Sequence, residues 1–512
     1  MAILILLLIL AVTLIGIAWH RAGYWQRRGI PGPTSRLFIG ALDRLYSHKY
    51  PNLYRFHDWI REFGPIVGFQ RGWINGVVIA DPEAAREVFV EKFEYFHHRD
   101  LAPLIGNPDT EPRIHLLLAG GKRWKRLRAL ASPAFSLSNM KKILPTLDYC
   151  ATETVHWFEK AHAKGRDFDV TPYFFEYTMD TICRLCMGQV DNQQHAVDSK
   201  VPMFLRAFDV AFGPVMQVSW IFPPFGIAIK RIARKVFELQ KHPQSQMINY
   251  LYKVIDERKA RRAEGEMTVG DKSDFIDIFL NAETDQQVEN EQTTLYDKTN
   301  VQVAKQMTTE EIMMACNIFL LAGFDTTANS LALTTFYFAR YPEIQERVWQ
   351  EISEVCRNPT PTYEELSRLK YVEAVAKEVL RFHPIAQSAV SRRCMVTTKL
   401  CNGLLVEKGT DVIVDMLSIH FDKKTWGDDA DEFKPERFLQ DKIPSAYYAF
   451  GGGPRLCIGM RFAFLEEKLL LVYFLRKFRV VATENTPKKV ELNGIPVLSP
   501  VDVTVRLEER SI

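Results

Sequence analysis

The chain has little net charge, few cysteines and no repeat. Its 512 residues carry 65 Lys and Arg against 62 Asp and Glu, a formal net charge of +3. No large field of one sign exists to draw it to nucleic acid. The eight cysteines, Cys150, Cys183, Cys186, Cys316, Cys356, Cys394, Cys401 and Cys457, are thinly spread. That distribution excludes a disulfide framework and points to a reducing compartment for the globular part. Cys183 and Cys186 form a lone Cys-x-x-Cys without a second pair or a histidine pair, so they read as ordinary helix residues. No Gly-x-Gly-x-x-Gly strand–turn–helix unit is present, which excludes a resident flavin or dinucleotide domain. Low-complexity stretches do not exceed a few residues. What is there is globular, 47% hydrophobic and 25% charged, with no linker that would divide it into two domains.

The N-terminus differs from the rest. Ala2 to Trp19 runs without a charge, and at ~1.5 Å per residue such a helix nearly crosses a ~30 Å hydrocarbon core. A cleaved signal peptide is the rival reading. Against it, no basic region precedes the apolar run and no small-x-small cleavage site follows. Trp19, Tyr24 and Trp25 offer an interfacial belt, and Arg21, Arg27 and Arg28 follow, so the positive-inside rule places the remainder in the cytosol. Residues 1–20 are thus expected to be a signal anchor and 21–34, ending in Ile30-Pro31-Gly32-Pro33, a basic and Pro-rich hinge. Residues 35–512 form the cytosolic body.

In that body, Ile66–Gln70 and Val77–Ala80 flank turn-rich Arg71-Gly72 and Asn75-Gly76, which predicts a hairpin. Asp81 is a plausible N-cap for the helix that follows. Helical pattern dominates from Asn139 to Ala282. Within it Phe212–Ile229 is unusually apolar for a loop region and reads either as core or as a second membrane-touching surface. Glu283–Thr308 is polar, a surface connector. Thr308 then caps a long apolar helix from Thr309 to Tyr341. Asn317, Asp325, Thr326, Thr327 and Asn329 sit inside that run, so it is a core helix and not a membrane span. Leu400–Val414 and Val480–Val505 are β-rich. The fold class is mainly α with a small β region.

Cys457 stands in Phe450-Gly451-Gly452-Gly453-Pro454-Arg455-Leu456-Cys457-Ile458-Gly459, followed by a helical pattern from Met460 to Leu475. A thiolate at a helix N-terminus beside an arginine is stabilised as an anion, and the glycines let backbone approach something flat and large. The chemistry is that of a soft metal ligand, with haem iron a natural candidate; the alternative is a buried cysteine capping a helix after a glycine turn. No Gly-Lys-Ser/Thr follows the glycines, so this is not a P-loop. The centre of the long helix reads Ala322-Gly323-Phe324-Asp325-Thr326-Thr327. Gly323 costs a helix interior about 1 kcal/mol, which close approach of a bulky group would offset. Threonines there bond the carbonyl one turn back and bend the helix. The result is a small polar notch whose acid and alcohol can relay protons. Glu378 and Arg381, three apart on one helix, can pair, as Trp124 and Arg128 share a face four apart.

The set resembles the cytochrome P450 family. Phe450–Gly459 fits its haem signature Phe-x-x-Gly-x-Arg-x-Cys-x-Gly at every fixed position, and Ala322–Thr327 fits its oxygen-binding motif. Glu-x-x-Arg at Glu378–Arg381, Pro435-Glu436-Arg437-Phe438 and Trp-x-x-x-Arg at Trp124–Arg128 stand in the microsomal order. Phe324 and Pro384-Ile385-Ala386 look closest to the clan that includes the vertebrate 3A drug-metabolising enzymes. The resemblance implies a haem b with Cys457 as axial thiolate and with Trp124, Arg128 and Arg455 at its propionates. It implies that Asp325 and Thr326 serve oxygen activation by proton supply and hydrogen bonding, and that Glu378, Arg381 and Arg437 form a buried structural network. Many members place a further propionate ligand just after the Glu-x-x-Arg helix; here the alignment is loose and Arg392 is the candidate. The implied activity is insertion of one atom of O2 into a lipophilic substrate at the endoplasmic reticulum membrane. Its electrons come from NADPH–cytochrome P450 reductase, with cytochrome b5 as an additional donor. A peroxide isomerase or a non-enzymatic haem-binding protein of the same fold is the alternative. Lys122, Arg123, Lys125, Arg126, Arg461 and Lys468 read either as solvated helix faces or as a patch for an acidic redox partner. Specificity is expected near Leu101–Leu118, Phe204–Phe225, Asn317–Phe324 and Ile385–Val390.

Overall fold

The computed structural model describes residues 1–47, 49–188, 194–195, 214–239, 242–265, 274–284, 305–440, 444–495 and 497–510. Residues 204–213 of the expected Phe204–Phe225 specificity stretch and most of the Glu283–Thr308 connector lie outside them. The architecture is helical, with small sheets at the margins. Helix Ala2–Ala22 has a mean hydropathy of 2.9, and Ala18 is its one buried residue. Such a surface is stable only against lipid or another apolar partner.

The segment after this helix, read from sequence as a hinge, is packed onto the body. Trp25 is buried, its Nε1 donates to Phe69 O at 2.7 Å, and its ring occupies the space a Cβ on Gly68 would need. Trp25 therefore belongs to the core and not to an interfacial belt, whereas Trp19 is exposed. Gly68 N–H donates to Pro31 O at 2.9 Å, extending the contact to the prolines.

The main sheet runs Ile66–Arg71, Ile74–Ile79, Asp411–Val414, Arg392–Arg393. The first pair is an antiparallel hairpin in which Arg71 faces Ile74, so the turn is Gly72-Trp73 alone. Asn75-Gly76, expected in the turn, lies in the second strand. Asn75 accepts from Gln70 Nε2 at 2.9 Å, and Gly76 leaves room for the Phe69 ring. Asp81 caps helix Pro82–Arg86 through Ala84 N–H at 2.7 Å, as expected.

The central helix, Thr309–Arg340, begins in a capping box of Thr308 and Glu311 and is buried along most of its length. Helix Thr171–Met187 packs along it, and Leu137–His162, Lys370–Phe382 and Met460–Lys477 complete the largest hydrophobic core around its C-terminal half. Gly323 is where Thr171–Met187 comes close: a Cβ would lie 2.8 Å from Ile182 Cδ1. The bulky group that offsets this glycine is thus the Ile182 side chain of the neighbouring helix.

Candidate functional site

The loop that carries Cys457 is built by glycines at two strained positions. Gly451 and Gly453 have φ of 78° and 65°, open to glycine at little cost. A Cβ on Gly453 would lie 1.9 Å from Phe89 O. The loop is closed by Cys457 N–H donating to Phe450 O at 3.0 Å, and it leads directly into helix Met460–Lys477. The thiol keeps accessible surface, yet protein encloses it closely enough that burial pushes its pKa up. N–H groups of Gly459 and Met460 and the charges of Arg128 and Arg99 pull it back down. The accessible face therefore opens on an internal recess, and the donors around the sulfur are those a thiolate needs.

Arginines converge beside this sulfur. Arg455 stacks 4.7 Å from the Trp124 ring and donates to Leu117 O and Ala119 O. Arg128 lies within electrostatic reach of Cys457, and burial lowers its pKa. Arg392 is fully buried. Its Nη1 donates to Val390 O at 2.9 Å and Ser391 O at 3.0 Å, and its guanidinium lies 4.8 Å over Phe89. Its Nε has no partner, and burial lowers its pKa far from the usual arginine value. Arg99, which sequence reasoning missed, joins them. It is 8% exposed, its Nε and Nη1 have no partner, and burial brings its pKa to about 10. It borders a cavity of about 330 Å³ lined also by His98, Leu101, Asp109 and Arg393; Cys457 does not line it. The one sequence signal was the unusual run His97-His98-Arg99-Asp100 entering an apolar loop.

Buried guanidinium nitrogens without partners are costly, and forked donors suit carboxylates. A flat group with two carboxylates and a metal that takes a thiolate fits this donor set: Cys457 would take the metal, and Arg99, Arg128, Arg392, Arg455 and Trp124 would hold the acid groups.

The central helix supplies the polar notch. Thr326 Oγ1 donates to Ala322 O at 2.8 Å, and Ala322 keeps accessible surface. Asp325 is buried and accepts from Asn329 Nδ2 at 2.7 Å. On another side of this helix runs a buried acid seam that sequence reasoning also missed. Glu466 faces the hydroxyls of Thr181 and Thr327, and burial pushes its carboxyl far above the usual range. Glu467 accepts from Ser330 and Thr334 at 3.2 and 3.1 Å, and burial raises it to about 7.

Glu378, Arg381 and Arg437 are brought together, all buried. Arg381 makes a forked pair with Glu378 at 2.7 and 2.9 Å, and Arg437 Nε donates to the same carboxylate at 3.0 Å. Both arginines also saturate carbonyls, among them His420 O and Trp426 O. His420 ties this network to the cysteine loop. Its Nε2 accepts from Tyr448 N–H at 3.0 Å, which leaves Nδ1–H to donate to Arg381 O. Burial lowers its pKa to about 3, so the ring is neutral.

The basic patch is smaller than its sequence. Arg123 and Arg126 are buried against Glu311, with Arg123 Nε and Arg126 Nη1 at 3.1 and 2.8 Å. Lys468 is buried against Glu373 at 2.6 Å. Arg461 is exposed, and Lys122 and Lys125 are half-buried.

Comparison with known proteins bears on the whole chain. The family model described as cytochrome P450 matches residues 30–503. The chain is 39% identical over 504 residues to a Caenorhabditis elegans protein named cytochrome P450 CYP13A10, and 38% identical over 495 and 498 residues to those named CYP13A2 and CYP13A7. Each alignment covers 95% of both chains.

Proposed function

The chain belongs to the cytochrome P450 family, and we propose on that footing that it hydroxylates lipophilic small molecules at the endoplasmic reticulum membrane. Electrons would come from NADPH through a separate reductase, with cytochrome b5 as a further donor. That it is a P450 monooxygenase, with haem b on a cysteine thiolate, O2, a redox partner and a small-molecule substrate, follows from the family. When bound, the haem supplies the oxygen chemistry, and electron donation from a thiolate ligand favours O–O cleavage.

The chain's own residues do the rest. The N–H groups of Gly459 and Met460 point at the Cys457 sulfur, which favours its thiolate form against the opposing effect of burial. Arg99, Arg128, Arg392 and Arg455 fix the acid edge of the cofactor, and Trp124 backs Arg455. Thr326 presents a hydroxyl oriented by Ala322 O. Asp325, oriented by Asn329, holds the proton that Thr326 passes on. The single observation that carries the reading is the cysteine thiol with its N–H donors beside buried guanidiniums whose nitrogens are unfilled.

Leu101, Ala102 and Pro103 along an expected specificity segment line the cavity beside Arg99 and favour a lipophilic substrate. The electron donor docks on the cysteine side around exposed Arg461, a narrower surface than the basic sequence implied. Exposed Phe222, Phe225 and Ile227 support the membrane-touching reading of the stretch ending at Ile229. The test is a spectral binding screen followed by product analysis with reconstituted reductase. Oxygenated product that depends on NADPH and reductase is expected; turnover without either contradicts the reading. Thr326→Ala should leave NADPH consumption running while product per NADPH falls, and unchanged coupling would remove Thr326 from proton delivery.

A further inference from the structure

Two exposed apolar features converge on one turn of the main sheet. The first is the end of helix Ala2–Ala22. Arg21 donates to Trp73 O and lies 5.3 Å over the Trp73 ring, while Gln70 Nε2 donates to Arg21 O at 2.9 Å. The second is the apolar surface of Val218, Phe222, Phe225, Ile227 and Ile232, each 42–65% exposed. It is carried by helices Pro214–Ile221 and Gly226–Leu239 and by the turn between them, and the second helix adds Lys230, Arg231, Arg234 and Lys235, a composition suited to lying in a bilayer interface.

The same two-residue turn grips this second feature by its backbone. Trp73 N–H donates to Trp220 O at 3.1 Å. Gly72, at φ 55°, approaches so closely that a Cβ would lie 2.1 Å from Trp220 O. Arg71, next in the strand, stacks 4.6 Å over the Trp220 ring and is itself pinned by Asp100 and Asp411 at 2.6 and 2.9 Å. Behind the turn, Tyr24 and Arg28 both bond Glu407, at 2.7 and 2.6 Å, and Trp25 fills its slot over Gly68. Among the described residues, the bonds from Arg21 and from the Trp220 backbone thus meet on one short, sheet-backed turn.

We propose that the turn Gly72-Trp73 is a bracket that holds the anchor helix and the Val218–Ile232 surface in one fixed geometry, so that both enter the same bilayer and the catalytic body keeps a single tilt to it. The proposal rests on the membrane reading above. The occupant is lipid because the anchor is joined to this surface and cannot leave the bilayer without exposing its whole apolar length. A tether alone would let the body roll; a bracket would not.

The test uses the full-length holoprotein in phosphatidylcholine nanodiscs, with a bimane probe on Phe225→Cys in a Cys401→Ser background. Brominated acyl chains should quench the probe. Arg21→Ala with Gln70→Ala, which removes the Arg21 bond to Trp73 O and the Gln70 bond to Arg21 O, should lose most of that quenching in protein that still binds haem. Linear dichroism of the haem on oriented bilayers should show one tilt in the parent and fall toward the isotropic value in the double variant. Quenching and dichroism unchanged in the variant would overturn the bracket and leave the membrane surface standing. A parent probe that bromolipid does not quench, whether solvated or covered by a second copy, would overturn the membrane reading and the bracket with it.

Discussion

Two sets of buried arginines sit within this molecule, and they differ in what answers them. Arg123 and Arg126 share Glu311, and Arg381 and Arg437 share Glu378. Arg99 and Arg392 are as deeply buried, yet they form no ion pair among the described residues and keep unfilled nitrogens. Burying a cation is tolerable only when something of opposite charge or good hydrogen-bonding capacity meets it. The first set is answered from within the chain and is architecture. The second set feels the charge of Asp100 but pairs with no carboxylate among the described residues, and its unfilled nitrogens suit the acid groups of a bound ligand beside Cys457, whose thiol meets N–H donors and positive charge.

The comparison breaks most visibly at Glu378. Glu378→Ala leaves two buried guanidiniums without their carboxylate and should cost about 3–5 kcal/mol, read by thermal unfolding and by yield of folded protein. A variant as stable as the parent would show that the carbonyls and Asp429 hold the network without Glu378.

Next in size is the acid seam beside the central helix. The Glu467 carboxyl lies near 7 when folded against about 4.5 as a free side chain. A raised carboxyl binds its proton more tightly folded than unfolded, so stability should fall as pH rises from about 4.5 through 7, by on the order of 3 kcal/mol. Glu467→Gln should flatten that segment of the stability–pH profile. An unchanged profile would show that other groups titrate there.

The unanswered arginines give the smallest and most diagnostic effect. Arg99→Leu or Arg392→Leu removes a buried, partly unsatisfied charge, so the haem-free chain should be no less stable than the parent. Loaded protein should release haem faster by about 10- to 100-fold, the loss of a charged hydrogen bond of roughly 1.5–3 kcal/mol. Haem transfer to an acceptor globin measures this. Arg126→Leu should do the reverse, destabilising the haem-free chain. Were Arg99→Leu to behave like Arg126→Leu, the distinction between the two sets would collapse.

Contiguous motifs were legible in the sequence because local geometry writes them: the glycine loop around Cys457, the notch at Ala322–Thr327, the capping box at Thr308, the pair Glu378 and Arg381. What needed the fold was long-range. Arg126 reads as a surface charge until Glu311, 185 residues away, closes on it. Arg99 carries no spacing that marks it, because the loop that delivers it has no period. The glycine at position 323 correctly signalled a close approach, but the partner was Ile182 and only the packing of helix Thr171–Met187 reveals it. Residues 21–34 have the composition of a basic, Pro-rich hinge, and Trp25 ties them to the body by finding the slot above Gly68.

The central claim is that Cys457 is the ligand around which these donors are arranged, and the reduced, carbon-monoxide-treated spectrum tests it most directly. The parent should show the Soret band of a thiolate-ligated haem, and Cys457→Ala should lack it while the fold, read by circular dichroism, persists. A parent without that band, or a Cys457→Ala protein that retains it, would contradict the account.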